Sequence, residues 1–305
     1  MTTNILLRTP YYISAPQAGS SYAVLTLTVD GEVRYTLTND VNASESVLFE
    51  ISELAADYLD ITYDGTYTSQ TVDVSTLLRF YNSSDLQVGP DVTSTHVGFY
   101  GYSEFTQGSN YEIPTDSVLL SNTKIYALEG SAGYVPVENA NSIEYLYYGS
   151  GATSISAEGS SLPIIRICEP RFDPIMLTFV NKFGALQDLW LFKKSTKTLE
   201  ASRESFKRAI ISGDGSYNTT VHSKSVLSAT GSESVSANTG YISEDHGEVL
   251  AQLYLSEQVW ATQGGVITPV NLTANSLKYL TSVNDKLMNY TIEFEYAFDK
   301  INNIR

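Results

Sequence analysis

The chain has 305 residues, 42% of them hydrophobic and only 17% charged, which excludes a wholly disordered chain and sets an expectation of two domains, or three. The formal charge is −16, unevenly spread: residues 1–165 hold 19 acidic and 4 basic residues, whereas residues 166–305 hold 15 and 14. An acidic first half repels nucleic acid and disfavours an anionic membrane surface, and a single cysteine, Cys168, excludes an intrachain disulfide and a cysteine-built metal site.

The opening, MTTNILLRTPYY, carries no long apolar run and no cleavage-site pattern, and no stretch approaches the apolar length of a membrane-spanning helix. These features set the expectation of a soluble protein made in the cytoplasm, with no membrane insertion. Tyrosine is abundant, at 22 residues, and together with threonine favours pleated, half-buried surfaces, so the elements are expected to be mainly strands.

Tyr22 to Val29 alternates, with Ala23, Leu25, Leu27 and Val29 on one face. Asp30-Gly31 follows, and Val33, Tyr35 and Leu37 alternate again, a pattern that predicts a hairpin. SVLFEI (46–51) reads as a further strand. Ser52 is placed to cap a short helix over 53–59, and Asp64-Gly65 to turn a second hairpin between ITY and TYT. Residues 82–165 are richer in Gly, Ser, Asn and Tyr, with strands expected at 124–128 and 143–148 and a loop or linker at 149–161.

Beyond that, LPIIRICE reads as a buried strand, and 176–180 and 189–193 as apolar runs joined by NKFGALQD. Residues 198–211 fit a helix or a strand equally well. Ser243 is placed to cap a helix over about 244–257 whose apolar face is Val249, Leu250, Leu253 and Tyr254. Gly264-Gly265 predicts a hairpin, and the strict alternation of Tyr290, Ile292, Phe294, Tyr296 and Phe298 a half-buried strand.

The expected fold is therefore mainly β: two β-sandwich or tube-like domains, each with one short helix, plus a Tyr/Gly-rich β insertion. The divisions are 1–81, 82–161 and 162–305.

Chemistry-bearing motifs are sparse. His96, His222 and His246 have no histidine or cysteine partner at metal-ligand spacing, and His246, in EDH, reads as part of a solvated first helical turn. There is no nucleophile elbow, phosphate loop or dinucleotide fingerprint, and Gly213-Asp214-Gly215 reads as a turn. No catalytic, metal or cofactor residue is assigned. The abundance of carboxylates is the sole motive for a polysaccharide-cleaving enzyme.

Two surfaces attract attention instead. Residues 182–208 hold seven basic and three acidic residues interleaved with Phe183, Trp190, Phe192 and Phe206. Lys193, Lys194, Lys197, Arg203, Lys207 and Arg208 are the candidate contacts there, and the preferred occupant is an acidic protein surface rather than nucleic acid. The first half of the same chain could supply that surface, within a subunit or from a neighbouring copy. Tyr145, Tyr147 and Tyr148, in Gly-rich surroundings with Tyr100 and Tyr102, suit a protein contact or a surface glycan, or the packing of a β domain.

Several stretches carry a family resemblance: LLRTPYYI, LTLTVDGEVRYTLT, VLFEISELAADYLDI, FVNKFGALQDLWLFKKSTKTLEASRESFKR, GEVLAQLYLSEQVWATQGGVITPVNL and NYTIEFEYAFDKINNIR. Together they resemble virion structural proteins of tailed bacteriophages, in particular tail and baseplate components. The resemblance covers both ends of the chain but not 82–165. It implies a subunit of a ring in the virion, in the tail or baseplate or alternatively at the neck or collar. Neighbouring copies and other virion proteins would be the partners, joined by sheet extension and exchanged arms. LLRTPYYISAP would suit such an arm, with Pro10 and Pro16 keeping it extended and Arg8, Tyr11 and Tyr12 available for contact.

Overall fold

The computed structural model describes residues 2–41, 46–169, 171–274, 276–278 and 287–301. In the first part of the chain the elements are β1 (Thr2–Leu6), β2 (Tyr12–Pro16), β3 (Tyr22–Val29), β4 (Glu32–Asp40), β5 (Ser46–Glu50), α1 (Ser52–Ala56), β6 (Thr71–Tyr81) and β7 (Gln87–Phe99). Five strands form a sheet in the order β1-β7-β6-β3-β4, antiparallel except for the parallel β1–β7 pair. Ala23, Leu25, Leu27 and Val29 are all buried, as the two-residue period of β3 requires. Asp30 and Gly31 both take positive φ, 49° and 79°, the backbone of the tight hairpin turn that Asp-Gly favours.

β2 and β5 pair with one another and lay Tyr11, Val47, Phe49 and Ile51 across this sheet, with Ala55 of α1 in the same core. The N-terminal stretch is thus not a free arm. Ile5, Leu6, Leu7 and Tyr11 are buried because β1 adds to the edge of β7 and β2 to β5. The division expected after residue 81 falls in the turn of the β6–β7 hairpin, so the sheet continues past it.

Three local expectations are corrected here. Ser52 lies inside α1 instead of capping it, since its Oγ donates to the Thr9 carbonyl (2.7 Å) and accepts from the Tyr11 amide (3.2 Å). The helix spans 52–56, shorter than the expected 53–59. Asp64-Gly65 does form a bend, but no strands flank it: the Gln70 amide replaces a ladder, accepting from Thr62 N–H at 2.7 Å and donating to Thr62 O at 2.8 Å.

The middle of the chain supplies β8 (Ile125–Leu128), β9 (Gly133–Asn139), β10 (Ser142–Tyr148), β11 (Ser154–Ala157) and β12 (Ser160–Ile167). β9 and β10 form a hairpin, while β12 pairs antiparallel with β11 and parallel with β8. Residues 149–161 are therefore no linker. They contain a hairpin turned at Glu158 and Gly159, both at positive φ, and β12 crosses the division expected after 161. Glu138, fully buried, ties this region to the first strand: it accepts from Asn4 Nδ2 (2.8 Å) and from the Asn141 amide (2.8 Å).

The remainder forms β13 (Ile175–Val180), β14 (Leu186–Leu191), β15 (Thr196–Lys207), β16 (Lys224–Asn238), β17 (Ile242–Ser243), α2 (Gly247–Leu255), β18 (Val259–Gln263), β19 (Val266–Leu272), β20 (Leu287–Met288) and β21 (Thr291–Tyr296). Seven strands make one sheet in the order β14-β13-β18-β19-β21-β16-β15. Val249, Leu250 and Leu253 of α2 share one core with Leu177, Phe179, Leu191, Ile292 and Phe294 of the sheet. Each such side chain, fully buried, contributes about 2 kcal/mol of transfer free energy.

Residues 198–211, ambiguous in sequence, are strand as far as Lys207. The Ser243 hydroxyl bonds the Asp245 carboxylate instead of a helical amide, and a 3₁₀ turn at Glu244–His246 precedes α2. His246 is buried edge-on against Tyr126, with ring centroids 4.8 Å apart, and not in a solvated turn.

The third and first regions meet where residues 100–101 pass 182–184. A Cβ on Gly101 would lie 2.3 Å from the Lys182 carbonyl oxygen, and one on Gly184 would lie 2.6 Å from the Tyr100 amide nitrogen, so both positions need glycine for the backbones to approach. The chain is mainly β, with several sheets and, among the described residues, two short α-helices. Among those residues no sheet closes into a barrel or tube.

Candidate interaction surface

The seven-stranded sheet has two edges, and they differ completely. At the β14 edge, β8 and β9 lie alongside, and the loop over 60–70 folds in from the first region. Asp188, in β14, is half-buried as a residue, but its carboxyl is enclosed by phenols and a hydroxyl. Tyr67 OH lies 2.7 Å from both carboxylate oxygens, Thr178 Oγ1 donates to Oδ1 at 2.8 Å, and Tyr63 OH donates to Tyr67 OH at 3.1 Å.

Desolvation pushes the Asp188 carboxyl up to about 6, against the pull of its hydroxyl donors. The same burial, together with the Asp188 charge, drives the Tyr67 phenol well above its ordinary value. Around this network runs a ladder of rings: Trp260–Tyr63 (5.7 Å), Tyr63–Tyr67 (5.3 Å), Tyr67–Tyr134 (4.6 Å) and Tyr134–Tyr147 (5.6 Å). Its inner members are packed between segments; at its outer end Tyr147 is 62% exposed.

At the other edge β15 is exposed at all twelve of its residues. β15 and β16 form a ribbon by themselves for most of their length, because β21 pairs only with Ser234–Asn238 of β16. Leu199, Phe206, Val226 and Leu227 stand exposed on the ribbon. The loop that closes it is turned at Asp214, with Ile211 bridged to Tyr217, and these two are 70% and 63% exposed. Lys207, Arg208 and Lys224 stand beside them, with Asp214 as the acidic residue of the loop. A lone two-stranded ribbon is marginal in water, and among the described residues the apolar side chains at its tip stay exposed.

The residues expected from sequence divide between these places. Lys197, Arg203, Lys207 and Arg208 lie on or at the end of β15, with the Lys197 ammonium 5.8 Å from the Tyr296 ring centre. Lys194 is exposed just before β15, and half-buried Lys193 is bound to Glu169 at 2.7 Å, an ion pair that holds the Glu169 carboxyl below its usual range.

Tyr147 is exposed, but Tyr148 is buried, with its phenol pushed up to about 12 by desolvation. Tyr145 is turned inward and accepts the Leu186 amide at 2.9 Å, so both serve packing. Tyr11 is buried with its hydroxyl on Glu112 (2.9 Å), and Tyr12 is half-buried, paired with Asn110. Arg8 sits near the Tyr100 and Tyr102 rings and pairs with Glu257 at 3.0 Å. Asp188, Tyr63, Tyr67, Tyr134 and Trp260 were not singled out in sequence; the available signal was a lone carboxylate inside the apolar run LQDLWL.

Among the described residues no group of three or more His, Cys, Asp or Glu side chains is placed to hold a metal ion, and no helix is long and apolar enough to cross a membrane. Compared with known protein families the chain matches none, and among curated proteins no relative is found.

Proposed function

We propose that this chain is a structural subunit of a tailed-phage virion, in the tail or baseplate, that works by assembling with copies of itself and with other virion proteins into a ring. The single observation that carries the reading is the β15–β16 ribbon, which holds exposed apolar side chains away from its own core. A subunit gains from such a ribbon only when a neighbour covers it. The uneven charge adds support, since a basic ribbon end and a strongly acidic first half favour unlike faces meeting.

On this reading the five-stranded sheet and its β2–β5 layer form a sandwich-like domain, the seven-stranded sheet with α2 a second, and β8–β12 an insertion between them. The work is done by surfaces, and no residue is given a catalytic or cofactor role. Mass spectrometry of purified particles should recover the chain at fixed stoichiometry. Particles complete without it would end the reading, and cross-links to head-completion proteins alone would move it to the neck or collar.

One observation favours a second reading, a carbohydrate-binding module. Tyr147 and Tyr134, 5.6 Å apart and at 64° to each other, offer a platform and a wall for a sugar ring at the open end of the aromatic ladder. A glycan array comparing wild type with Tyr147→Ala tests it, and equal signals from the two proteins would reject it.

A further inference from the structure

A hollow beside the C-terminal end of α2 has the character the ribbon tip lacks. A cavity of about 550 Å³ opens between the C-terminal end of α2 and β18–β19, with Tyr254, Leu255, Val270 and Leu272 in its apolar lining. Next to it a second hollow of about 670 Å³ is walled by the N-terminal segment and α1. Glu257 lines both. With Glu50 and Glu53 it sets three carboxylates against one guanidinium, Arg8, which is itself held by Glu257 and by the Leu255 carbonyl. Among the described residues Leu255, at the rim, stands 53% exposed. The two hollows share Glu257; the first has an apolar wall from α2 and β19, and the second is rimmed by carboxylates.

The ribbon tip is the complement: Ile211, Tyr217 and Phe206 exposed, flanked by Lys207, Arg208 and Lys224. We propose that the tip of one copy's β15–β16 ribbon docks in the α2/N-terminal groove of a second copy. Ile211 and Tyr217 enter the apolar cavity, and the basic residues face Glu53 and Glu257. The size is compatible, since cavities of roughly 300–1,000 Å³ are those that enclose a few large side groups. Because the ribbon and the groove are different surfaces, the contact is heterologous, and repetition closes into a ring or extends into a filament. This inference rests on the assembly reading above and names the two faces that it joins.

The test separates the two ideas. A ribbon variant (Ile211→Asp with Tyr217→Asp) and a groove variant (Leu255→Arg) both change exposed residues, so circular dichroism and thermal unfolding should match wild type. Analytical ultracentrifugation of wild type at its highest soluble concentration should show oligomers. Each variant alone should associate at least ~30-fold more weakly, the loss expected when a central anchor is removed.

Mixed together, the variants should form a heterodimer and nothing larger, because the intact ribbon of one meets the intact groove of the other and the two remaining faces are dead. Oligomers that survive either variant, or variants that stay monomeric when mixed, would overturn the docking while leaving the virion reading to the particle experiment. A wild type monomeric at every concentration would also overturn it.

Discussion

The two edges of the seven-stranded sheet face the same physical problem, a row of unpaired backbone groups beside apolar side chains, and meet it differently. At the β14 edge the chain returns upon itself: β8, β9 and the 60–70 loop cover the strand, and tyrosines fill the seam around Asp188. At the β15 edge no described strand pairs beyond β15, all twelve of its residues are exposed, and β16 and β15 run on as a two-stranded ribbon. An edge closed from within is part of the subunit's own stability. On the assembly reading, an edge left open offers contact area to another molecule. The placement of tyrosine follows the same division: most of those near β14 are packed and hydrogen-bonded, and Tyr217 at the ribbon tip is exposed.

If the comparison holds, substitutions at the covered edge cost stability and those at the open edge do not. The largest effect is expected at His246, which packs against Tyr126 of β8 and is faced by Asp245 and Lys124. Burial lowers its imidazole to about 4 from an ordinary value of 6.5. A base whose folded value is depressed stabilises the fold above its unfolded value and loses that stability as the pH falls from 6.5 towards 4. The loss is about 3 kcal/mol. In His246→Phe that part of the acid limb should flatten; urea unfolding across pH 4 to 7 measures it, and an unchanged slope would show the ring to be solvated.

Next comes Tyr67→Phe, which strips the Asp188 carboxylate of its closest donor. At pH 7, where Asp188 is charged, a loss of about 2 kcal/mol is expected. At pH 4, below its raised value of about 6, the carboxyl is protonated and the loss should be about half as large. Asp188 itself acts oppositely to His246: its raised value favours the fold at low pH, and that contribution disappears as the pH rises from about 4 to 6. Equal losses from Tyr67→Phe at both pH values would mean that the carboxylate is not buried as a charge.

At the open edge the expected effects on the subunit are small. Replacing residues 202–230 by a two-residue turn should leave monomer stability within about 1 kcal/mol, because the removed ladder encloses no core of its own. The same excision should abolish self-association; a large loss of stability would show that the ribbon folds back on its own subunit. The smallest change is expected for Tyr147→Ala, within about 0.5 kcal/mol by thermal unfolding, as for other exposed substitutions.

Much of the local structure was legible in the sequence. The alternation of Ala23 to Val29 and of Ile292 and Phe294, the Asp30-Gly31 and Gly264-Gly265 turns and the apolar face of α2 each depend on neighbours within a few residues. The misreadings have a common origin. Ser52 and Ser243 had helix-capping neighbours in sequence, but each found a different partner, the Thr9 carbonyl and the Asp245 carboxylate. ITYDGTYT has the pattern of a hairpin, but Tyr63 and Tyr67 are drawn into the seam at Asp188, and the Thr66 amide donates to the Asp64 carboxylate instead of to a partner strand. GSGATSISAEGSS looked like a linker because its polar residues hide a hairpin whose other face is covered by β8 and β9 side chains.

The sequence by itself determined the strand content, the acidic first half, the basic segment 182–208 that holds β14 and β15, and the lack of a recognisable catalytic motif. Only the tertiary structure decided which tyrosines are structural, that the N-terminal segment is built into two sheets, and that one edge of the large sheet is sealed while the other is bare. The reason is range. Side-chain alternation and turn geometry are set over two to eight residues. The partners of Asp188 and the neighbours of each edge strand are brought together from up to about 120 residues away, by burial that no local pattern encodes.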